Sequence, residues 1–177
     1  GNALRRVLLT SHPGAGVTTV KIDGVKHQFS TLPGMKEDVL ELILNIKKLR
    51  LRLFSEKPQT IHISVHGQKK ILASDIETPA EVEVVNKDLY LASLSGSKAK
   101  LEIEMTVERG FGYSLSEERK VSTIGVIPID VIFTPVLRVN YKVEATRVGQ
   151  LTDLDKLILE ITTDGTISPK EALEESA

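Results

Sequence analysis

The sequence contains no cysteine and no tryptophan, and only 4% of its 177 residues are aromatic. Without cysteine, the chain can form neither disulfides nor thiolate metal sites. The scarcity of aromatic side chains argues against a platform on which nucleic-acid bases stack. The formal net charge is −1, so the chain also lacks the overall positive charge with which proteins hold a phosphate backbone.

Long apolar runs are absent too. No run approaches the roughly 18 residues that a membrane-spanning helix needs, and no signal peptide is visible. What is present is an ordinary globular composition, with 41% hydrophobic and 27% charged residues. The length is enough for one large domain or two small ones.

The first twelve residues predict a short helix with one apolar side. Leu4, Val7 and Leu8 recur at helical spacing. Pro13 and Gly14 end the pattern, because proline removes a backbone donor and disfavours a helical residue before it. So short a helix is marginal in water, and it must dock on its own domain or on a partner. The spacing leaves open whether its apolar residues belong to the core or to an interface.

Residues 36–48 predict the clearest helix of the chain. Acidic residues 37–38 begin it and basic residues 47–48 end it, an arrangement that suits the helix dipole. The apolar residues that share one face are Val39, Leu42, Ile43, Ile46 and Leu49. Near the end of the chain, Ser168, Pro169 and Glu171 match the start of a final helix.

Strand signals fill most of the remainder. Period-two alternation of apolar and polar residues predicts strands over residues 49–53, 60–66, 100–107, 136–145 and 157–162. Asp23 and Gly24, flanked by apolar alternation, predict a hairpin turn. Pro128, inside an apolar run, predicts an edge position or the end of a strand. These signals, without repeated strand–helix–strand units, indicate an α+β fold with antiparallel sheets.

Two groups of polar residues invite a metal or catalytic interpretation. His62 and His66 lie on one face of a predicted strand, but about 13 Å apart, too far to share one zinc ion. Asp153 and Asp155 have no third ligand at a suitable spacing, so solvated or interface-ordering carboxylates are the better interpretation. A local basic patch is formed by Lys47, Lys48, Arg50 and Arg52. Its charges suit contact with solvent or with an acidic protein surface.

Several stretches together resemble the amino-terminal domain of the bacterial RNA polymerase alpha subunit. Residues 1–25, which include the run Leu4-Arg5-Arg6, carry the resemblance together with residues 124–135 and 147–157. Residues 33–47 follow the family pattern closely. The resemblance therefore covers essentially the whole chain and does not depend on one short motif.

The resemblance implies an α+β fold of two domains with mostly antiparallel sheets. Residues 1–13 and 135–177 would form a discontinuous dimerisation and assembly domain, truncated at both ends. Residues 14–134 would form a second domain inserted into it. In the family, further residues precede Gly1, and the final helix continues beyond Ala177.

The resemblance also implies a function and its residues. The chain would be a non-catalytic alpha subunit of DNA-directed RNA polymerase, which dimerises and scaffolds the assembly of the beta and beta-prime subunits. Arg6 would contact beta, and Lys47 and Ile129 would contact beta-prime. The residues at the dimer interface would be Leu4, Val7 and Leu8.

The same resemblance implies no cofactor, no metal, no catalytic residue and no membrane partner. DNA would be reached only through the complex or through a carboxyl-terminal domain outside this chain. The expected location is the cytoplasm at the nucleoid, with a plastid as the other source the family allows. Two alternatives stay open: an alpha-like regulatory protein that binds polymerase, and a small free-standing enzyme that uses Asp153, Asp155 or a histidine.

Overall fold

The computed structural model describes residues 3, 13–116, 124–133, 136–148 and 151–176. For residues 136–138, 141–148, 151–157 and 175–176 it describes the backbone alone. Antiparallel strands dominate the described part, with few helices. The predicted α+β character with mostly antiparallel sheets is confirmed.

A six-stranded antiparallel sheet forms the centre of the larger part of the fold. Its strand order is β3-β7-β1-β2-β5, and β9 pairs with β1 beside this path. The strands are β1 (Pro13–Ile22), β2 (Leu51–Leu53), β3 (Gln59–His66), β5 (Val82–Val84), β7 (Lys100–Phe111) and β9 (Val126–Pro128). The predicted edge position of Pro128 is confirmed, since β9 pairs with β1 alone among the described strands.

Strands β3 and β7 alternate between a buried face and a more exposed face. In β3, for example, Ile61, Ile63 and Val65 are buried while His62 and Ser64 are exposed. The inward residues of the sheet form one hydrophobic cluster with the buried side of a helix, α1 (Val39–Ile46). Strand alternation and helix periodicity therefore point at the same core.

Two small sheets complete this larger part. In one, β4 (Lys69–Leu72) pairs with β6 (Tyr90–Leu94), and a single 3-10 turn over Ala73–Asp75 follows β4. In the other, β8 (Tyr113–Ser114) pairs with β10 (Val131–Ile132). The second of these sheets lies beside the start of β1 and the end of α1, where a cleft forms.

The last part of the chain is a long hairpin followed by a helix. Strands β11 (Val136–Val148) and β12 (Leu151–Thr163) pair with each other, and helix α2 (Pro169–Ser176) follows. Val139 and Ala172 are buried here in a hydrophobic cluster separate from the main core. The Ser168 hydroxyl accepts the N–H of Glu171 at 3.1 Å, which confirms the predicted start of the final helix.

Several predicted element boundaries were wrong. The helix over residues 36–48 is shorter, because Asp38 caps it and Lys47 already ends it. The strand predicted from residue 49 begins at Leu51. The last two strands extend well beyond residues 136–145 and 157–162. Asp23 and Gly24 do form a turn, but no strand follows it, so the hairpin predicted there is absent from this described stretch.

Candidate functional site

Helix α1 places Lys47 at its carboxyl end. The Asp38 side chain accepts the N–H of Glu41 at 2.7 Å and so fixes the start of the helix. The N–H of Lys47 donates to the Ile43 carbonyl at 3.0 Å, which makes Lys47 the final capping residue. Since one side of the helix is packed in the core, the Lys47 side chain leaves from a fixed point.

Asp130 faces Lys47 from the connection between β9 and β10. The Lys47 Nζ lies 3.8 Å from one carboxylate oxygen of Asp130, with both side chains about one-third exposed (34% and 33%). The other carboxylate oxygen accepts the N–H of Ser116 at 2.7 Å. A partly exposed ion pair of this kind contributes at most about 1 kcal/mol. The ion pair therefore orients Lys47 at the surface, and little free energy is needed to break it.

A cleft of about 180 Å³ opens beside this ion pair, and we call it the α1–β10 cleft. Most of its lining residues are apolar, and Lys47 and Asp130 are the charged ones among them. The lining residues are Ala15, Gly16, Val17, Ile46, Lys47, Leu49, Tyr113, Asp130, Val131 and Ile132. Apolar walls with one placed charge are the usual composition of a recognition site on a protein surface.

Gly16 allows β10 to lie directly against β1 at this cleft. A side-chain carbon at Gly16 would overlap the Cγ1 atom of Val131. The same holds one strand away, where a carbon at Gly110 would lie 2.7 Å from the Phe133 ring. Glycine is required at both positions because another element packs onto the backbone itself.

Tyr113 and Ile132 form the exposed rim of the cleft. They are directly paired across β8 and β10, and their exposed fractions are 57% and 64%. Two large apolar side chains paired across strands on an open surface are typical of a contact surface. Sequence reasoning missed both residues. Tyr113 follows the short Gly110–Gly112 run, and Ile132 lies inside an apolar run, so neither stood out.

Ile129 lies beneath the cleft and does not line it. Its side chain is only 3% exposed, and its N–H donates to the Thr18 carbonyl at 3.0 Å. Ile129 therefore anchors the backbone on which the neighbouring Asp130 is carried. The family resemblance predicts that Lys47 and Ile129, 82 positions apart, contact the same subunit. The fold brings the Lys47 Nζ to 3.8 Å from a carboxylate oxygen of Asp130, the residue after Ile129.

The segment before α1 is anchored by a buried carboxylate. Glu37 is 7% exposed, and it accepts hydrogen bonds from the Tyr90 hydroxyl and from the N–H of Ser93 at 2.9 Å. Burial alone raises the pKa of Glu37, but these hydrogen bonds and the charge of Lys36 outweigh it and leave the pKa below its ordinary value. Burial and the bond to Glu37 raise the pKa of Tyr90.

Four of the predicted site residues lie outside the described part of the chain. They are Leu4, Val7 and Leu8, the predicted dimer contacts, and Arg6, the predicted contact to beta. Asp153 and Asp155 lie in β12, where the structure describes only their backbone.

A second, wider hollow of about 540 Å³ lies on the polar face of the main sheet. It is lined by Lys21, Asp23, His62, Ile63, Ser64, Glu77, Glu102, Ile103 and Glu104. His62 lines this hollow, and His66 is exposed on the same face of β3, as the alternation predicted. Within the described residues, no three His, Cys, Asp or Glu side chains are grouped so that they could hold a metal ion.

Residues 20–134 match the family described as the RNA polymerase Rpb3/RpoA insert domain. The whole chain is also similar to proteins named DNA-directed RNA polymerase subunit alpha. It is 54% identical to that of Roseiflexus sp. (strain RS-1) over 177 residues, which are 100% of this chain and 55% of the relative. It is 56% identical to that of Syntrophomonas wolfei, covering 100% of this chain and 57% of the relative.

The chain thus spans about half the length of the curated relatives it matches. No helix within the described residues combines the length and the apolar character that a membrane crossing requires.

Proposed function

The chain belongs to the bacterial RNA polymerase alpha-subunit family, and from this premise we propose that it is an assembly scaffold of DNA-directed RNA polymerase. Two copies dimerise, and the dimer recruits the beta and beta-prime subunits for transcription. The observation that carries the proposal at the level of residues is the α1–β10 cleft, where Lys47 lies beside an exposed apolar rim. The similarity to alpha subunits over the whole of this chain supports it independently.

In this proposal beta-prime docks at the α1–β10 cleft. An apolar side chain of the partner covers Tyr113 and Ile132, which are the most exposed apolar residues of the cleft. A carboxylate of the partner replaces or joins Asp130 as the ion-pair partner of Lys47. Ile129 acts indirectly, because its buried side chain holds the backbone that carries Asp130.

The beta subunit binds elsewhere in this proposal, at Arg6. A guanidinium group suits such a contact, because its planar fork pairs with a carboxylate through two hydrogen bonds. Leu4, Val7 and Leu8 of the same stretch form the seam between two copies of the chain. A symmetric dimer then presents every patch twice, so one copy meets beta and the other meets beta-prime.

The domain division that we propose follows the same scheme. Residues 1–13 and 135–177 form the dimerisation and assembly domain, and residues 14–134 are inserted between them. The family match over residues 20–134 supports this division, as does the separate hydrophobic cluster of Val139 and Ala172. We assign no catalytic residue and no cofactor to this chain, because nucleotide transfer is the task of the partner subunits. The assembled enzyme works in the bacterial cytoplasm.

Assembly with purified subunits tests the proposal at Lys47. We expect Lys47→Ala to weaken the binding of beta-prime to the alpha–beta complex about tenfold, since it removes a charge at the centre of the contact. Binding is measured by titration of labelled beta-prime. Lys48→Ala is the matched control, because Lys48 is the exposed neighbour that lies outside the cleft.

Three outcomes would count against the proposal. Equal losses in the Lys47 and Lys48 variants would mean that general charge, and not the cleft, attracts the partner. Unchanged binding in a Tyr113→Ala, Ile132→Ala double variant would remove the apolar rim from the contact. Recovery of the chain with polymerase in substoichiometric amounts would favour a regulatory alpha-like protein over an assembly subunit.

The beta contact is tested separately at Arg6. We expect Arg6→Ala to leave dimerisation unchanged and to weaken the recruitment of beta, with Arg5→Ala as the matched control.

A further inference from the structure

Arg52 connects the main sheet to the last part of the chain. It lies in β2, between two leucines that are buried in the core, and its own side chain points away from that core. Its Nε donates to the Thr166 carbonyl at 2.9 Å, and its Nη2 donates to the Gly165 carbonyl at 3.2 Å. The two carbonyls belong to the turn between β12 and α2, more than 110 positions along the chain.

The turn whose carbonyls accept the Arg52 hydrogen bonds is stabilised by hydrogen bonds of its own. The Asp164 carboxylate accepts the N–H of Thr166 at 2.9 Å, and the Thr163 hydroxyl donates to the Ile167 carbonyl at 2.7 Å. Gly165 adopts a φ of +92°, which glycine reaches without steric cost. Local bonds of this kind fix a turn independently of its surroundings. The carbonyls of residues 165 and 166 are therefore presented side by side.

The guanidinium group matches this arrangement better than any other side chain. It is planar, always charged, and offers two parallel donors to two adjacent acceptors, whereas lysine acts as a single point charge. Glu83, the neighbour of Arg52 across β2 and β5, lies 3.7 Å from its remaining nitrogen, Nη1. Each of the three guanidinium nitrogens of Arg52 thus faces an oxygen. The side chain is oriented by the turn carbonyls on one side and by Glu83 on the other.

We propose that Arg52 is a positioning residue that fixes the orientation of the hairpin β11–β12 and helix α2 relative to the main sheet. This role goes beyond the proposed scaffold function. Under the domain division proposed above, Arg52 joins the inserted domain to the dimerisation domain. It thereby sets the angle at which the α1–β10 cleft is presented relative to the dimer seam.

The absence of cysteine in the chain allows a direct test by spin labelling. Labels are attached at Lys87→Cys, in the main sheet part, and at Lys170→Cys, in α2, where both native side chains are exposed. Pulsed electron spin resonance then measures the distance between the labels. A second pair, Lys87→Cys with His66→Cys, reports on the main sheet part alone.

We expect one narrow distance for the Lys87–Lys170 pair in the otherwise native chain. Losing charge-assisted hydrogen bonds of this kind shifts a two-state ratio about tenfold or more. Arg52→Gln should therefore broaden this distance distribution or add a second distance, while Arg52→Lys should give an intermediate result. Arg50→Gln is the matched control, because Arg50 is exposed and its hydrogen bonds with Asn86 and Val85 are made by its backbone.

An unchanged Lys87–Lys170 distance in Arg52→Gln would overturn the proposal. Broadening of the Lys87–His66 distance as well would also overturn it, since Arg52 would then support the sheet in general and not the orientation of the last part. Because the measurement uses the chain alone, its outcome is independent of whether the chain assembles with polymerase subunits.

Discussion

At the scale of single residues, the α1–β10 cleft depends on a position that has no side chain. Gly16 leaves room for Val131, whose Cγ1 atom occupies the space that a carbon at Gly16 would take. Both residues line the cleft. The shape of the candidate docking site is therefore set by the distance between two backbones.

We expect Gly16→Ala to lower the free energy of unfolding by about 1–3 kcal/mol, because the new methyl group forces β10 away from β1. Urea denaturation measures the change. The double variant Gly16→Ala, Val131→Ala should lose less than the sum of the two single variants, since the smaller side chain relieves the overlap. Additive losses would show that the two residues do not compete for the same space.

Glu37 makes a pH-dependent contribution to stability. Its folded-state pKa is below the ordinary value of 4.5, so the carboxylate stabilises the fold above that pH, and the contribution disappears as the pH falls through the folded-state pKa. We expect Glu37→Gln to cost about 1–3 kcal/mol at neutral pH, since a hydrogen-bonded buried charge is lost. Urea denaturation at a series of pH values measures this difference.

The difference between the native chain and Glu37→Gln should narrow as the solution becomes more acidic than pH 4.5. Glu41→Gln serves as the control, because the Glu41 side chain is exposed. A difference that stays constant with pH would mean that the Glu37 charge does not stabilise the fold.

Sequence reasoning found some residues of the candidate site and missed others for physical reasons. Lys47 was found because the family resemblance covers its stretch, while the spacing alone indicated only a solvated residue at a helix end. Tyr113, Ile132 and Asp130 come together through β8–β10 pairing and the end of α1. Contacts between residues so distant in sequence leave no local pattern.

At the scale of elements, helix α1 determines where Lys47 leaves the surface. Asp38 has extended backbone angles, with φ −79° and ψ 171°, and caps the first turn. We expect Asp38→Ala to lower the free energy of unfolding by about 1 kcal/mol, since an unpaired N–H is left at the helix start. Urea denaturation measures the loss. Lys48→Ala, exposed just beyond the other end of the helix, should have little effect, and equal losses would argue against capping.

The hairpin predicted at Asp23 and Gly24 does not form, which shows that local sequence patterns do not determine which strands pair. The turn forms, and the N–H of Val25 donates to the Ile22 carbonyl at 3.1 Å. The edge of β1 that a following strand would have taken is paired instead with β9, about one hundred residues later. Alternation predicts that a segment can be a strand, but the partner is chosen by competition across the whole chain. The strands at residues 60–66 and 100–107 were correct because their alternation was long and unbroken.

At the scale of the whole molecule, the described residues carry the surface proposed for beta-prime, while the residues proposed for the dimer seam and for beta lie outside them. The α1–β10 cleft lies on the larger part of the chain, and the predicted dimer contacts Leu4, Val7 and Leu8 belong to its first stretch. The α+β class and the family were both predictable from sequence, because composition, alternation and several long motifs agreed. The contact of Arg52 with residues 165 and 166 was not, since it joins positions more than 110 residues apart and leaves no local pattern.

Analytical ultracentrifugation of the chain alone, then with purified beta, and then with beta-prime added, shows whether these residues are an assembly scaffold. We expect a dimer that takes up one beta subunit and afterwards one beta-prime subunit. A chain that sediments as a monomer and binds neither subunit would contradict the proposal that these residues are an assembly scaffold.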